Sequence, residues 1–307
     1  MYRVVVPLDG TLHAERAIPW ADTLARQLNA EIVLVRVIPP GDSTVDIGGI
    51  EQPGSLGEYE EKETEVRSYL QEISARLQES REGAWPAACE ALGGDPGEAV
   101  AEYARTHATN LIVIAGHGYS GIGRLLHNSV TTQIVRDSGI PVLSVGPGAA
   151  DRPVALPKTA LVPLDNSELA LDILEPLVPL ARACSMRLIL LRVLEEPAEL
   201  VPVQGALIPV PFTGTTDPDA SLADLDQTAN VLRAQGLEVE EKVSYGDRAR
   251  AILSEAGDLD VDMIAMATHS LTGLGHWLVR SMAEEVSAKA SVPVLEYHAL
   301  HDDDGHH

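Results

Sequence analysis

The stretch Asn110-Leu-Ile-Val-Ile-Ala-Gly-His-Gly-Tyr-Ser-Gly-Ile-Gly-Arg124 joins a short apolar run to a glycine-rich turn. A second version, Asp262-Met-Ile-Ala-Met-Ala-Thr-His-Ser-Leu-Thr-Gly-Leu-Gly-His276, follows 152 residues later. The same offset relates Gly94-Asp95 to Gly246-Asp247. A duplication of this length predicts two copies of one folding unit, because the period is far too long for a solenoid repeat.

The composition fits two domains with aliphatic cores. A chain of 307 residues has a prior of about two domains. Hydrophobic residues make up 45% of the chain and aromatic residues only 4%, so the cores must consist of Val, Leu, Ile and Ala. Such residues suit buried parallel strands that are covered by helices on both faces.

The charge and the cysteines limit the partners and the compartment. A net charge of −24 without a basic stripe argues against nucleic acid and anionic membranes as partners. Cys89 and Cys184 do not occupy equivalent positions of the repeat, and we interpret them as unpaired thiols in a reducing compartment. The first residues are typical of a strand rather than a signal peptide, and no apolar run approaches the length of a membrane span. We therefore predict a cytoplasmic protein.

Strand and helix patterns alternate in both copies. The first copy has predicted strands at 2–9, 30–37, 87–92, 111–115 and 141–145. Its predicted helices are 11–29, 58–81, 96–107 and 129–137. The second copy begins in the same way, with a strand at 159–165, a helix at 169–183 and a strand at 187–194. This alternation predicts right-handed crossovers and a parallel sheet.

Proline and glycine mark the predicted boundaries and loops. We predict a first domain at 1–147, a linker at 148–157, a second domain at 158–300 and a disordered tail at 301–307. Residues 39–57 and 195–219 are predicted to be loops. The second loop is apolar, so it can act as a lid, a partner surface or packing against the other copy, and packing is the interpretation that we favour.

Asp9 ends the first strand at the point where the chain turns toward the first helix, and Asp165 repeats it in the same Val-Pro-Leu-Asp context. The carboxyl ends of parallel strands form the ligand crevice in open sheets. A carboxylate there can bind a ribose hydroxyl or orient a metal-bound phosphate. The alternative is a helix N-cap or an Asx-turn, which aspartate often forms. The repeat does not distinguish the two, because a cap would be duplicated too.

Gly118, Gly121 and Gly123 lie between the fourth strand and the next helix, which begins near Ser129. Glycines let backbone amides approach a phosphate, and a helix N-terminus adds a favourable dipole. Arg124 is the one cation of this segment. The alternative is a surface turn with Ser129 as a helix cap, and a glycine loop by itself does not decide between them.

His117 and His269 match across the copies, but no nucleophile and acid surround them in a triad-like pattern. Metal-ligand spacings such as HxxxH or CxxC are also missing from the sequence. We interpret both histidines as hydrogen-bonding the backbone, and we predict no catalytic residue and no protein metal site.

Together, these motifs resemble the universal stress protein family in its tandem two-domain form. The resemblance covers nearly all of both copies and rests on Val-Pro-Leu-Asp9, Leu34-Val-Arg-Val37, Gly94-Asp95-Pro96, Ile114-Ala-Gly-His-Gly118 and Asn128-Ser-Val130. It implies an α/β fold of two Rossmann-like, doubly wound domains. Each would contain a five-stranded parallel sheet of order 3-2-1-4-5 with helices on both faces.

Strand five of single-domain family members commonly pairs across a dimer. In this chain, the resemblance implies the same pairing between 142–145 and 294–297, as an intrachain pseudo-two-fold. Both segments are apolar edge strands that would invite aggregation if they stayed open. Association of two whole chains into a homodimer is left open.

The ATP-binding branch of the family carries a motif similar to G-x2-G-x9-G-[ST]. At its positions, the first copy has Ala115, Gly118, Asn128 and Ser129. The second copy has Ala267, Ser270, Arg280 and Ser281. Asparagine tolerates left-handed backbone better than most residues, so Asn128 can still serve the loop. The motif is therefore more intact in the first copy.

The resemblance implies that Asp9 holds the ribose, that Val37 flanks the adenine and that phosphates bind at Gly118, Ser129 and Val130. The ligand would be ATP or AMP, with or without Mg²⁺. Further predicted contacts of the same site are Ala115, Gly121, Arg124 and Asn128. The less intact second site would use Asp165, Val193 and Ser281.

Three functions remain open from the sequence. The first is a nucleotide-binding regulator of the stress response that at most hydrolyses ATP slowly and signals to an unknown protein partner. The second is a degenerate member that binds no nucleotide and acts as a protein-interaction scaffold. The third, a true enzyme on the same fold, is disfavoured because there is no Walker A motif and no evident acid–base pair.

Overall fold

A computed structural model describes residues 1–40, 44–46, 51–53, 56–79, 87–116, 130–165, 167–194, 198–203, 206–211, 218–268 and 282–300. The elements of the first copy are, in order, β1 (Arg3–Pro7), α1 (Ile18–Leu28), β2 (Glu31–Ile38), β3 (Thr44–Asp46), β4 (Glu51–Pro53), α2 (Leu56–Glu79), β5 (Ala88–Gly93), α3 (Pro96–Thr106), β6 (Leu111–Ala115), α4 (Val130–Ser138) and β7 (Val142–Val145).

The second copy repeats this order after a short connecting helix. Its elements are α5 (Pro147–Ala150), β8 (Thr159–Pro163), α6 (Leu174–Cys184), β9 (Arg187–Leu194), β10 (Ala198–Val203), β11 (Ala206–Pro211), α7 (Pro218–Ala234), β12 (Glu238–Tyr245), α8 (Arg248–Asp258), β13 (Met263–Ala267), α9 (Met282–Lys289) and β14 (Val294–Tyr297). Among the helices that the structure describes, none is both long and apolar enough to cross a membrane.

One ten-stranded sheet runs through both copies in the order β12-β9-β8-β13-β14-β7-β6-β1-β2-β5. Each half is parallel and has the order 3-2-1-4-5, which confirms the predicted fold. The halves meet where β7 pairs with β14 in antiparallel orientation. Leu143 faces Leu295 at the centre of this pairing, and these residues are equivalent in the repeat. The predicted intrachain pseudo-two-fold is therefore confirmed.

The strands are continuous apolar runs because helices cover both faces of the sheet. In β1, Val4 and Val6 belong to the cluster that includes residues of α1 and α2. Val5 belongs to the cluster that includes residues of α3 and α4. All three side chains are fully buried. The residues that directly follow Leu8, from Asp9 to Leu12, are exposed at the carboxyl end of this buried strand.

Two segments that we predicted to be loops contain β-hairpins instead. β3 pairs with β4 within 39–57, and β10 pairs with β11 within 195–219. Prolines obscured the second hairpin, since Pro202 and Pro209 interrupt the strand pattern. A two-stranded ribbon tolerates them because every second backbone N–H points away from the partner strand, where no ladder bond is lost.

The first helix of each copy begins later than predicted. A 3-10 turn at Ala14–Ala17 precedes α1, and one at Glu168–Ile173 precedes α6. Pro19 lies in the first turn of α1, where its missing N–H costs no hydrogen bond. The chain between β1 and α1 is therefore a compact irregular segment at the sheet edge rather than a regular helix.

Asp95 caps α3 as its position before Pro96 predicts, because its Oδ1 accepts hydrogen bonds from the amides of Gly97 at 3.1 Å and Glu98 at 3.2 Å. Asp95→Ala is expected to lower the free energy of unfolding by about 1 kcal/mol, since two amides of the first turn lose their acceptor. Urea denaturation measures this value. Asp95→Asn is the matched control, because it keeps the acceptor, and a loss equal to that of alanine would contradict the capping role.

Candidate functional site

The candidate site lies at the carboxyl end of the sheet, where β1, β2 and β6 end; this end is called the sheet edge below. β1 is the middle strand of the three, and its register places Pro7 beside Val35. The amide of Leu8 still donates to the Val35 carbonyl at 2.8 Å, so the chain follows β2 until one residue before Asp9. The chain leaves β1 toward β2 on one side, whereas β6 pairs with β1 on the other side. The strand order therefore reverses at β1, and Asp9 stands beside this switch point of the sheet.

Asp9 is held in an Asx-turn. Its Oδ1 accepts hydrogen bonds from the Thr11 amide at 2.8 Å and from the Thr11 hydroxyl at 2.6 Å. In the second copy, Asp165 accepts from the amide and the hydroxyl of Ser167 in the same way. The duplicated aspartate therefore has a fixed orientation at the sheet edge in both copies.

The other described candidates lie around this edge. Val37 is half-buried near the end of β2, and Ala115 is the buried last residue of β6. Val130 begins α4 and is exposed, and Val193 is half-buried in β9 at the place of Val37. The remaining candidates lie outside the described residues: Gly118, Gly121, Arg124, Asn128, Ser129 and Ser281. His117 and His269 also lie outside them.

His13 is a residue of this edge that the sequence did not single out. One ring nitrogen, Nε2, lies 3.1 Å from the carbonyl oxygen of Gly116, the residue directly after β6. This contact joins the segment after β1 to the start of the segment after β6. The first two strands of the copies match at an offset of 156 residues, as Asp9 and Asp165 do. The equivalent of His13 is therefore Leu169, so this link belongs to the first copy alone.

Arg36 is a second residue that the sequence analysis passed over. Its guanidinium lies against Gly10, where an added Cβ would come within 2.9 Å of the guanidinium carbon. Gly10 also has φ +87°, a conformation that side chains disfavour. The available signal was a charged residue inside an apolar strand at the same place in both copies, Arg36 and Arg192.

In the second copy, the equivalent arginine is anchored differently. Arg192 is buried, and its Nε donates to the Leu164 carbonyl at 2.7 Å, directly before Asp165. Burial lowers the pKa of the Arg192 guanidinium, while Asp224 and Asp165 act against that shift. Both copies thus place an arginine under the turn that carries the aspartate.

Tyr69 of α2 borders the same region. Its ring centroid lies 5.1 Å from the Arg36 guanidinium carbon, and its hydroxyl donates to Glu15 at 3.2 Å. Burial and the Glu15 carboxylate raise the pKa of Tyr69 to about 12, so the phenol stays protonated at neutral pH. Arg76 of α2 also binds Glu15, at 2.8 Å. These contacts tie α2 to the segment that follows β1.

A metal site is not evident in the part of the chain that the structure describes. There, no group of three or more His, Cys, Asp or Glu side chains could hold a metal ion.

Comparisons with known proteins agree with this architecture. The universal stress protein family matches residues 1–146 and again residues 157–298. A universal stress protein of Methanocaldococcus jannaschii is 26% identical over 145 residues, which cover 47% of this chain and 81% of the relative. One of Synechocystis is 24% identical over 157 residues, which cover 47% of this chain and 96% of the relative. Each relative thus corresponds in length to about one copy of the repeat.

A solved structure extends the likeness to both copies. The universal stress protein of Archaeoglobus fulgidus superposes with a TM-score of 0.71 over 96% of this chain and 98% of its own, at 19% identity. This chain belongs to the universal stress protein family. It is a tandem member, with two copies of the family's domain in one chain.

Proposed function

We propose that this protein is a nucleotide-binding regulator of the stress response, with ATP or AMP bound at the sheet edge of the first copy. The observation that carries the proposal is the fixed Asp9 carboxylate beside the switch point between β1 and β6. Crevices at this place of an open α/β sheet are where ligands bind. In this pose, Asp9 accepts a hydrogen bond from a ribose hydroxyl, and Val37 flanks the adenine.

Backbone amides would hold the phosphates in this proposal. They belong to the segment after β6 and to the start of α4, at Gly118, Ser129 and Val130, with Ala115, Gly121, Arg124 and Asn128 as further contacts. Amides at a helix N-terminus attract phosphate without a lysine. This mode of binding suits a chain with a net charge of −24. Mg²⁺, where present, would be bound by the phosphates.

The two sites are proposed to be unequal. The second copy has Ser270 and Arg280 where the first has Gly118 and Asn128, and it lacks a counterpart of His13. Side chains at these places narrow the approach of a phosphate to the backbone. Asp165, Val193 and Ser281 would then belong to a vestigial site.

The test is calorimetric titration of nucleotide-free protein with ATP and Mg²⁺. We expect about one ATP per chain, and we expect Asp9→Ala to weaken binding by about tenfold to a hundredfold, because a hydrogen bond to a charged group is lost. Asp9→Asn removes the negative charge but keeps a side-chain oxygen that can accept the hydrogen bonds of the Asx-turn, so it separates the effect of charge from that of shape. Asp165→Ala is the matched control and should leave the affinity unchanged.

Other results would change the proposal in defined ways. Two equivalent ATP sites per chain would contradict the inequality of the copies. An absence of binding at millimolar ATP would favour the scaffold alternative, which the altered glycine motif already supports. In that case, the hairpin of β10 and β11 would be the first surface to test for an unknown protein partner. The cytoplasmic location stays a prediction, supported by the free thiols Cys89 and Cys184.

A further inference from the structure

Three residues from distant parts of the chain meet at the turn that carries Asp9. Gly10 belongs to the turn, Arg36 to β2 and Tyr69 to α2. A Cβ added at Gly10 would come within 2.9 Å of the Arg36 guanidinium, and the central carbon of that guanidinium lies 5.1 Å from the centroid of the Tyr69 ring. A planar cation over an aromatic ring is attracted by the ring quadrupole. The guanidinium therefore links the turn to α2.

Arg36 is held by packing and by a cation–π contact rather than by an ion pair. Within the described part of the chain, no hydrogen bond or ion pair engages its guanidinium. Arg192, its counterpart, is instead bonded to the carbonyl of Leu164. The described contacts of the Arg36 guanidinium are with Gly10 and with the ring of Tyr69. A lysine there would keep the charge but not the flat surface.

α2 holds the same segment at a second point. Glu15 lies in the 3-10 turn that follows Asp9, and it accepts hydrogen bonds from Tyr69 and from Arg76. Tyr69 therefore takes part in both connections, through its ring to Arg36 and through its hydroxyl to Glu15. As a result, the segment from Asp9 to Glu15 is attached to α2 at both of its ends.

We propose that Arg36 is a positioning residue for Asp9: its guanidinium, which contacts both Gly10 and Tyr69, sets the orientation of the Asx-turn and ties it to α2. The effect on ligand affinity rests on the proposed nucleotide site. The effect on the turn itself does not, because the Thr11 amide reports the Asp9 hydrogen bond without any ligand. The two parts can therefore be tested separately.

The experiment uses the full chain and compares Arg36→Lys, Tyr69→Leu and Tyr69→Phe. Phenylalanine keeps the ring beneath the guanidinium and removes only the bond to Glu15. Arg67→Ala is the control, because it breaks an exposed ion pair with Glu63 on the same helix. Three quantities are measured for each variant: the hydrogen-exchange rate of the Thr11 amide without ligand, the ATP affinity and the free energy of unfolding.

Arg36→Lys and Tyr69→Leu are expected to raise the Thr11 exchange rate and to weaken ATP binding by about three- to tenfold, the range of a partly desolvated cation–π contact. Tyr69→Phe should restore most of both values, and Arg67→Ala should leave them unchanged. A merely structural role predicts instead that every amide of the domain exchanges faster in proportion to the lost stability. That outcome, or an unchanged Thr11 rate in Arg36→Lys, overturns the proposal.

Failure of the nucleotide proposal gives a different pattern. If the wild-type protein binds no ATP, the affinity measurement gives no information on any variant. The Thr11 exchange rates still decide whether Arg36 positions the turn. A faster Thr11 rate in Arg36→Lys and Tyr69→Leu alone then supports the positioning role while the nucleotide function fails.

Discussion

Glu296→Gln is expected to stabilise the protein above about pH 7 and to remove part of its pH dependence. Glu296 lies in β14 at the junction of the two copies and is buried, with only 5% of its surface exposed. Its Oε1 accepts hydrogen bonds from Ser144 at 2.7 Å and from Ser287 at 3.0 Å. Burial raises the pKa of Glu296 from 4.5 to about 7, and the nearby Glu284 adds to the shift, while the two serines act against it.

The direction of the effect follows from proton linkage. The folded state keeps a proton on Glu296 up to about pH 7, whereas the unfolded state loses it near pH 4.5. The stabilising contribution is therefore complete below pH 4.5 and is lost as the pH rises through the folded-state value. A shift of this size corresponds to about 3 kcal/mol of unfolding free energy. Glutamine, a neutral side chain of similar shape, avoids the loss.

Urea denaturation at several pH values between about 4 and 9 measures this difference. The quantity of interest is wild type minus variant, since the other carboxyl groups titrate in both proteins. Glu285→Gln is the matched control, because Glu285 is on the neighbouring helix α9 and pairs with Lys289 at the surface. Parallel profiles of wild type and Glu296→Gln across this range would show that Glu296 ionises like an exposed carboxyl group.

Leu143→Asp is expected to break the junction between the copies. Leu143 and Leu295 face each other where β7 pairs with β14, and each is 1% exposed. An aspartate there is a buried charge without a partner, which costs more than about 4 kcal/mol. Once the pairing is lost, β7 and β14 become open edge strands that can pair with other chains.

Calorimetry and light scattering after gel filtration measure the two consequences. We expect the unfolding temperature to fall and concentration-dependent association to appear. Leu143→Met is the control, since a volume-conserving change costs less than about 1.5 kcal/mol. An aspartate variant that unfolds at the same temperature as the methionine variant and stays unassociated would refute the role of this pairing.

Local sequence patterns predicted the regular strands and helices, because these elements depend on the burial and capping preferences of neighbouring residues. The apolar runs in β1 and β6 require burial on both faces, and the Asp95-Pro96 pair requires a helix start. The hairpins of β3–β4 and β10–β11 escaped prediction, since prolines and short strands hide the alternation on which such predictions rest.

The candidate site was predictable only in part. Asp9 was singled out because it ends a strand at the carboxyl end of the sheet and is repeated as Asp165, whereas Val37 followed from the family resemblance. His13 and Tyr69 were missed because neither is repeated in the second copy. Their relevance depends on which residues lie beside them after folding, and no local pattern encodes that.

The sequence by itself determined that the chain consists of two similar α/β domains, because a duplicated pattern of buried strands and amphipathic helices permits few other folds. The tertiary structure decided which residues meet: Arg36 beside Gly10 and Tyr69, and Glu296 beside Ser144 across the junction. Such contacts join residues far apart in the chain. Their geometry follows from how the helices pack on the sheet. Hydrophobic periodicity shows which face of an element is buried, but it does not show which residues that face contacts.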